Sequence, residues 1–234
     1  MDTTLRDGEQ TSGVSFSASE KLTIAQLLLT ELKVDRIEIA SARVSDGEFQ
    51  AVKKITEWAA QQGLLNKVEV LTFVDGGTSV QWMLDAGAKV MNLLTKGSLN
   101  HLQHQLKKTP AQHFVEIADT ISLAISKGLE VNVYLEDWSN GMRNSKSYVL
   151  EYLDFLTALP VKRILLPDTL GVLIPSEVAD YISELVLRYP GVHFDFHAHN
   201  DYDLGTANAL EAVRNGAHGL HLTVNGMGER AGNA

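Results

Sequence analysis

Two patterns of apolar residues alternate along the chain. One is a short run in which all residues or every second residue are apolar, and the other is a longer amphipathic segment. The first pattern predicts β-strands and the second predicts α-helices. Together they repeat at roughly 30 residues, the length of a strand-helix unit. Eight strands are predicted, at Asp2–Leu5, Asp35–Ile39, Val68–Phe73, Val90–Leu94, Val131–Leu135, Arg163–Leu166, Phe194–His197 and Leu220–Val224.

Several of the predicted helices begin with capping residues. Ser17 and Glu20 form the pattern of a capping box ahead of one helix. Thr109 followed by Pro110 places an N-cap and a first-turn proline ahead of another, and Pro175 opens a third. Seven helices are predicted in all, so the last strand has no helix after it.

Eight parallel strands with helical crossovers predict an α/β fold, a (β/α)8 TIM barrel, with an open doubly wound sheet as the alternative. Polar residues fall at the ends of the predicted strands, where a barrel builds its site, and no Gly-x-Gly-x-x-Gly fingerprint follows the first strand. Because the chain reaches Ala234 before an eighth helix, we interpret residues 1–234 as one catalytic barrel domain, incomplete and part of a longer natural protein. Such a barrel should expose an apolar strip.

Composition and charge exclude several classes of protein. Apolar residues make up 44% of the chain and charged residues 21%, as in a soluble globular protein. No apolar run approaches the roughly 18 residues of a membrane span, and the N-terminus lacks the layout of a signal peptide. The absence of cysteine excludes thiol chemistry, and the net charge of −9 argues against nucleic acid or an anionic membrane as partner. These features predict a cytoplasmic protein.

The stretch HFDFHAHND is the most informative for chemistry. His197 and His199 are two residues apart at the end of a predicted strand, so both imidazoles should point to the same face. Asp7 and Asn233 follow the first and last predicted strands and should lie at the same barrel mouth. Two imidazoles, a carboxylate and an amide oxygen suit one divalent metal ion with a position left open. Two histidines of the core or rim and a turn asparagine are the alternative interpretation.

Three further polar residues at predicted strand ends are candidates for catalysis or substrate binding. Arg6 can present a cation to a substrate beside the metal, or it can form a solvated ion pair with Asp7. Glu136 can act as a base, or it can form a salt bridge with Arg6 or Arg43. Thr169 can donate a hydrogen bond to a substrate carboxylate, or it can cap a turn.

Three large side chains also lie at or near predicted strand ends, those of Leu71, Leu94 and Tyr134. They can form the wall of a small apolar pocket beside the candidate polar residues. They can equally belong to the ordinary packing of a barrel interior, and the residues alone leave both interpretations open.

Three motifs, DTTLRDGEQ at the start, HAHND on the seventh predicted strand and NGMGERAGN after the eighth, resemble those of the α-isopropylmalate synthase family. This family includes isopropylmalate, homocitrate and citramalate synthases and shares a barrel superfamily with hydroxymethylglutaryl-CoA lyase. The resemblance covers the whole chain, in order. The stretches NLLTKGSLNH and VNVYLEDWSNG resemble bacterial citramalate synthases more than typical isopropylmalate synthases.

The resemblance implies roles for individual residues. The family's metal ligands match Asp7, His197, His199 and Asn233. Its positions for catalysis or for binding the substrate carboxylate match Arg6, Glu136 and Thr169. The residues that close the pocket around the pyruvate methyl group in citramalate synthases match Leu71, Leu94 and Tyr134.

The implied reaction is a Claisen-type condensation of acetyl-CoA with a 2-oxoacid and release of CoA, aided by a divalent ion (Zn, Mn or Mg) that polarises the ketone. Pyruvate, which gives citramalate, is favoured over 2-oxoisovalerate, which gives 2-isopropylmalate. Both products belong to branched-chain amino-acid biosynthesis. The family also implies a homodimer and C-terminal regions that contribute contacts to CoA.

Two other functions remain open from the sequence. A metal-dependent hydroxy-oxoacid aldolase or lyase would use similar ligands on the same barrel, although lyases of the hydroxymethylglutaryl type rely on a cysteine that this chain lacks. A non-catalytic barrel would bind a 2-oxoacid without turnover. Release of CoA from acetyl-CoA in the presence of each oxoacid separates the three.

Overall fold

Seven parallel strands form one sheet in chain order in the computed structural model, which describes residues 1–234. Every neighbouring pair is parallel, so each connection crosses over outside the sheet. The strands are Ile37–Ser41 (β1), Val68–Phe73 (β2), Val90–Lys96 (β3), Glu130–Glu136 (β4), Arg163–Asp168 (β5), Phe194–Ala198 (β6) and Gly219–His221 (β7).

A single residue near the N-terminus joins the two edges of this sheet. Asp2 forms parallel bridges with Ile37 of β1 on one side and with Leu222, next to β7, on the other. The backbone N–H of Asp2 donates to the Arg36 carbonyl, and that of Thr3 donates to the Leu222 carbonyl. The N-terminal segment therefore takes the place of an eighth strand, and the prediction of a TIM barrel is confirmed.

The first predicted strand, Asp2–Leu5, is wrong beyond Asp2. The Thr3 carbonyl accepts hydrogen bonds from the amides of Arg6, Asp7 and Gly8, and this pulls the chain into a tight turn. The last predicted strand also ends early, since β7 stops at His221 rather than continuing to Val224. Both ends of the chain leave strand geometry because they build the barrel mouth.

Nine α-helices fill the crossovers and cover the outer side of the sheet. The capping boxes predicted from Ser17 and from Thr109 are both present. No α-helix follows β7 in this chain, and no helix combines the length and hydropathy that a bilayer crossing requires. The helices are Ala18–Gln26 (α1), Asp46–Gln61 (α2), Thr78–Asp85 (α3), Leu99–His101 (α4), Pro110–Ser126 (α5), Trp138–Asn144 (α6), Lys146–Thr157 (α7), Pro175–Arg188 (α8) and Gly205–Arg214 (α9).

The helices and the outward faces of the strands form the main apolar core, while the barrel interior carries polar side chains and a small apolar cluster of Leu71, Tyr134 and Leu165. Asn92 donates to Glu38 at 2.6 Å, and Asn132 donates to the Asn92 oxygen at 2.8 Å. This hydrogen-bonded layer fills the barrel below its mouth and supports the residues above it.

Apolar side chains are exposed on the flank where the last strand meets the N-terminal segment. Leu222 and Val224, just after β7, are 39% and 40% exposed, and Leu210 and Val213 on α9 are 53% and 47% exposed. An exposed apolar strip was the expectation for a barrel without its eighth helix.

Candidate active site

The carboxyl ends of the strands bring the predicted polar residues together at one mouth. His197 lies on β6 and His199 just beyond its end. Asp7 follows the N-terminal turn, and Asn233 forms an antiparallel bridge with His199. These residues come from the first ten and the last forty residues of the chain, and barrel closure makes them neighbours.

Asp7, His197 and His199 have the spacing of metal ligands. His197 Nε2 lies 3.1 Å and His199 Nε2 lies 3.8 Å from Asp7 Oδ2, and the two Nε2 atoms are 3.3 Å apart. Ligand atoms about 2.1 Å from a divalent ion are separated from one another by about 3 Å. Both Asp7 oxygens are buried without a hydrogen-bond partner. The three side chains therefore fit a divalent cation.

The protonation states of these residues also suit a metal ion. Burial opposes ionisation of Asp7, but the Arg6 guanidinium and the contact with His197 hold the pKa of this carboxyl below its usual range. Burial, reinforced by the neighbouring His197, lowers the pKa of His199 to about 3. At neutral pH the site therefore offers an ionised carboxylate and a neutral His199 imidazole, which are the forms that bind metal.

Asn233 is held against this cluster by the glycine-rich loop after β7. Its side-chain oxygen and nitrogen are both buried without a hydrogen-bond partner, which suits an additional ligand. A Cβ atom on Gly228 would lie 2.8 Å from Asn233 Nδ2. Gly232 has a φ of +89°, and a Cβ atom there would lie 2.1 Å from the Gly226 oxygen. Glycine at these positions lets the loop fold tightly around Asn233.

Arg6 is an ordered part of the site and not a solvated surface group. Its Nε donates to Glu38 Oε2 at 2.5 Å, and its Nη1 lies 3.2 Å from Asp7 Oδ2. Its Nη2 donates to the Tyr134 hydroxyl at 3.4 Å. The side chain is only 10% exposed, so the guanidinium is fixed beside the candidate metal ligands.

A cavity of about 160 Å³ opens next to these groups. It is smaller than the roughly 300–1,000 Å³ typical of pockets for drug-sized ligands, so it suits a small molecule. A larger hollow of about 420 Å³ lies on the outer surface near α5, away from the candidate ligands. The small cavity is lined by eight predicted site residues, Arg6, Leu71, Leu94, Tyr134, Glu136, Thr169, His197 and His199, and by Gln10, Pro167 and Glu229.

Glu136 has a different partner from those considered in the sequence. Its carboxylate forms an ion pair with Lys96 Nζ, at the end of the neighbouring strand β3, and its Oε1 lies 3.9 Å from His101 Nδ1. Arg43 instead binds Asp75 at 2.7 Å. Sequence reasoning missed Lys96 and His101, although Lys96 stands at a strand end, which was the available signal.

Thr169 is oriented by a neighbouring backbone amide. The N–H of Asp137 donates to Thr169 Oγ1 at 2.8 Å. Because the oxygen accepts this hydrogen bond, the hydroxyl proton can be directed to an acceptor in the cavity. Asp137 adopts a φ of +64° at the start of α6, and its carboxylate accepts a hydrogen bond from Ser98 at 2.6 Å.

The fold and the mouth define a class of protein, a parallel β/α barrel with two histidines and one carboxylate that fit a metal ion at the carboxyl ends of its strands. The chain belongs to the HMGL-like family, whose model matches residues 1–234. The family resemblance seen in the sequence motifs is thereby confirmed.

Curated relatives support the same assignment. The chain is 37% identical over 235 residues to the 2-isopropylmalate synthase of Sulfurisphaera tokodaii, an alignment that covers all of this chain and 58% of that protein. It is 35% identical to the probable 2-isopropylmalate synthase of Ignicoccus hospitalis, over all of this chain and 56% of the relative. It is 34% identical to the homocitrate synthase of S. tokodaii, over 99% of this chain and 49% of the relative. The chain thus spans about half the length of these relatives.

Solved structures share the fold at lower sequence identity. The hydroxymethylglutaryl-CoA lyase from Pseudomonas aeruginosa superposes with a TM-score of 0.77 at 17% identity, over all of this chain and 81% of that one. The HMG-CoA lyase from Bacillus subtilis gives 0.76 at 20% identity, over all of this chain and 80% of that one. At this level of identity the comparison establishes the barrel fold alone.

Proposed function

We propose that this chain carries the active site of a metal-dependent acyltransferase that condenses acetyl-CoA with a 2-oxoacid and releases CoA. The observation that carries the proposal is the convergence of a metal-ligand set, a fixed arginine and a carboxylate on one small cavity. The curated relatives named as 2-isopropylmalate synthases, one of them 37% identical, also support it.

The metal would be held by Asp7, His197 and His199, with the Asn233 amide oxygen as a further ligand. A divalent ion bound there would supply a Lewis acid for the keto group of the oxoacid. The methyl carbon of acetyl-CoA loses a proton to a base and forms a bond to the keto carbon, while the keto π electrons move to the oxygen, which takes up a proton. Water then cleaves the thioester to a carboxylate and free CoA.

The chain's own residues bind and polarise the reactants. Arg6, fixed by Glu38, lies where it can stabilise the negative charge that the keto oxygen gains during bond formation. The Thr169 hydroxyl would donate a hydrogen bond to the oxoacid carboxylate. Glu136, which forms an ion pair with Lys96, would accept a proton from a reactant in the cavity or hold a substrate proton there.

We propose pyruvate as the preferred oxoacid. Leu71, Leu94 and Tyr134 line the same cavity as His197 and His199. We infer that these three bulky groups surround the oxoacid side chain closely enough to favour a methyl group. An isopropyl group would overpack them at a cost of roughly 1–3 kcal/mol. This cost corresponds to a preference of about 10- to 100-fold for pyruvate over 2-oxoisovalerate, since about 1.4 kcal/mol is a factor of ten.

Rates of CoA release test both levels of the proposal in the intact protein. We expect release from acetyl-CoA that depends on a divalent metal and is fastest with pyruvate among pyruvate, 2-oxoisovalerate and 2-oxoglutarate. Leu94→Ala should shift the ratio of kcat/KM values toward 2-oxoisovalerate. Leu187→Ala, on the outer surface and 81% exposed, is the matched control and should not.

The other outcomes discriminate between the alternatives. A wild-type preference for 2-oxoisovalerate overturns the choice of pyruvate and leaves the condensation in place. Cleavage of a hydroxy-oxoacid without CoA release identifies an aldolase or lyase. Binding of an oxoacid with neither reaction identifies a non-catalytic barrel.

A further inference from the structure

A chain of side chains runs from the candidate active site into the barrel interior. The Tyr134 hydroxyl lies 2.8 Å from His221 Nδ1, and His221 Nε2 lies 3.1 Å from Asp195 Oδ2. Arg36 Nη2 donates to the same Asp195 oxygen at 2.7 Å. Tyr134, His221 and Asp195 are 2%, 1% and 0% exposed, so water does not compete for these contacts.

The direction of each hydrogen bond follows from the charged end of the chain. Asp195 forms a buried ion pair with Arg36, so its carboxylate is ionised and can only accept. His221 Nε2 must therefore donate to it. The His221 imidazole is 1% exposed, and burial at this depth disfavours its cationic form, so the ring is neutral. Its Nδ1 then carries no proton and accepts from the Tyr134 hydroxyl.

Because the Tyr134 proton is directed to His221, the Tyr134 oxygen presents only lone pairs to its other neighbours and can only accept hydrogen bonds from them. Arg6 Nη2 donates to that oxygen at 3.4 Å, and the Arg6 carbon Cζ lies 5.8 Å from the centre of the Tyr134 ring. A tyrosine whose proton was free would instead compete with Arg6 as a donor to the substrate. The buried chain of hydrogen bonds thus makes Arg6, and not Tyr134, the donor that the cavity presents to a bound ligand.

We propose that His221 and Asp195 are positioning residues, which fix the Tyr134 hydroxyl as an acceptor for Arg6 and so hold the Arg6 guanidinium toward the bound oxoacid. The role rests on the proposed function, because the oxoacid is the ligand that Arg6 would meet. His221 and Asp195 act through Tyr134 and need no contact with the substrate.

The first test reads the protonation pattern directly and does not depend on activity. Nitrogen NMR of the intact protein with ¹⁵N-labelled histidine, assigned with His221→Asn, should show His221 as a neutral imidazole protonated at Nε2 and bare at Nδ1. A His221 protonated at Nδ1, or at both nitrogens, would overturn the proposal.

The second test is a double-mutant cycle on kcat/KM for pyruvate. Tyr134→Phe and His221→Leu should each lower it by roughly 10-fold, the size of one lost hydrogen bond to a charged group. The double variant should lose no more than either single variant, because His221 acts through Tyr134. Multiplied losses, or a His221→Leu protein with wild-type kinetics, would contradict the role.

A conservative variant separates positioning from folding. His221→Asn places an amide oxygen near the position of Nδ1, so it should accept from Tyr134 and recover most of the kcat/KM that His221→Leu loses. His218→Asn, three residues earlier and exposed, is the matched control and should leave the kinetics unchanged. A His221→Asn protein as impaired as His221→Leu but equally well folded would contradict the proposal.

Failure of the proposed function would look different. A wild-type protein that releases no CoA with any oxoacid would contradict the proposed condensation, whatever the protonation of His221. An active wild type whose His221 has the wrong tautomer, or whose double-mutant losses multiply, removes only the positioning role.

Discussion

Asp7 illustrates how one residue combines structural and chemical roles at the mouth of the barrel. Its carboxylate is buried beside Arg6 and two imidazole nitrogens, and neither of its oxygens has a hydrogen-bond partner. The Arg6 guanidinium keeps this buried carboxylate ionised, and the two imidazole nitrogens beside it complete a set of ligands for a metal ion.

The metal site can be tested by removing one ligand at a time. Replacing His197 or His199 by Ala removes a metal ligand itself. The affinity for a divalent metal should therefore fall by more than the 10- to 100-fold that is typical when a residue hydrogen-bonded to a ligand is lost. Titration calorimetry with Zn²⁺ and Mn²⁺ measures the effect. His104→Ala, an exposed histidine after α4, should bind metal as the wild type does. Unchanged affinity in both ligand variants would refute the assignment.

At the scale of elements, strands β2 to β6 each contribute a side chain to the cavity, and the helices that pack on them help to fix its position. Helix α5 shows this for β3. The backbone N–H of Lys96 at the end of β3 donates to Nε2 of His113 on α5 at 3.2 Å, and the His113 ring packs 5.8 Å from that of Tyr152 on α7. Lys96 in turn forms the ion pair with Glu136. The position of the Glu136 carboxylate therefore depends on how α5 docks.

The docking of α5 should depend on pH through His113. Burial lowers the pKa of His113 from 6.5 to about 4. The unfolded chain takes up the proton first, so the stability due to the neutral ring is complete above about pH 6.5 and is lost as pH falls toward 4. Between pH 7 and 5 this loss amounts to about 2 kcal/mol.

Urea unfolding of the wild type and His113→Gln at pH 7 and pH 5 measures this contribution. Gln can still accept from the Lys96 amide but does not titrate in this range, so the variant should lose less stability on acidification. Other buried histidines titrate equally in both proteins and cancel in the comparison. Equal losses would show that His113 is not the titrating group.

At the scale of the whole molecule, contacts of the N-terminal segment and an ion-pair bridge inside the barrel hold the strands together. The backbone nitrogen of Met1 donates to the Leu220 carbonyl at 2.7 Å, and Asp2 joins the two edges of the sheet. Inside the barrel, Arg36 bridges Glu69 of β2 and Asp195 of β6 at 3.2 and 2.7 Å. This bridge spans the barrel and also terminates the chain that leads to Tyr134.

Replacing Arg36 by Leu should destabilise the whole barrel. The change leaves the buried Asp195 carboxylate without its arginine, and breaking a buried ion pair from one side costs about 3–5 kcal/mol. The midpoint of urea unfolding should fall accordingly. Arg214→Leu, on the surface of α9 and 66% exposed, should change it little. A wild-type midpoint for Arg36→Leu would contradict the structural role of the bridge.

Features set by neighbouring residues could be predicted from the sequence by itself. Strand and helix periods, the capping boxes at Ser17 and Thr109 and the common face of His197 and His199 depend on backbone geometry within a few residues. Once a barrel is assigned, strand ends must meet at one mouth. That rule predicted that Asp7 and Asn233 would lie near the histidines.

Only the tertiary structure decided the contacts between residues far apart in the chain. Lys96 pairs with Glu136 across 40 residues, and His221 meets Tyr134 across 87. The position of Lys96 at a strand end was visible in the sequence, but its partner depends on strand register, and the partner of His221 depends on which side chains share the barrel interior. The N-terminus also depends on tertiary structure. Its strand-like residues form a turn in which the Thr3 carbonyl accepts hydrogen bonds from three amides, and only Asp2 bridges the sheet edges.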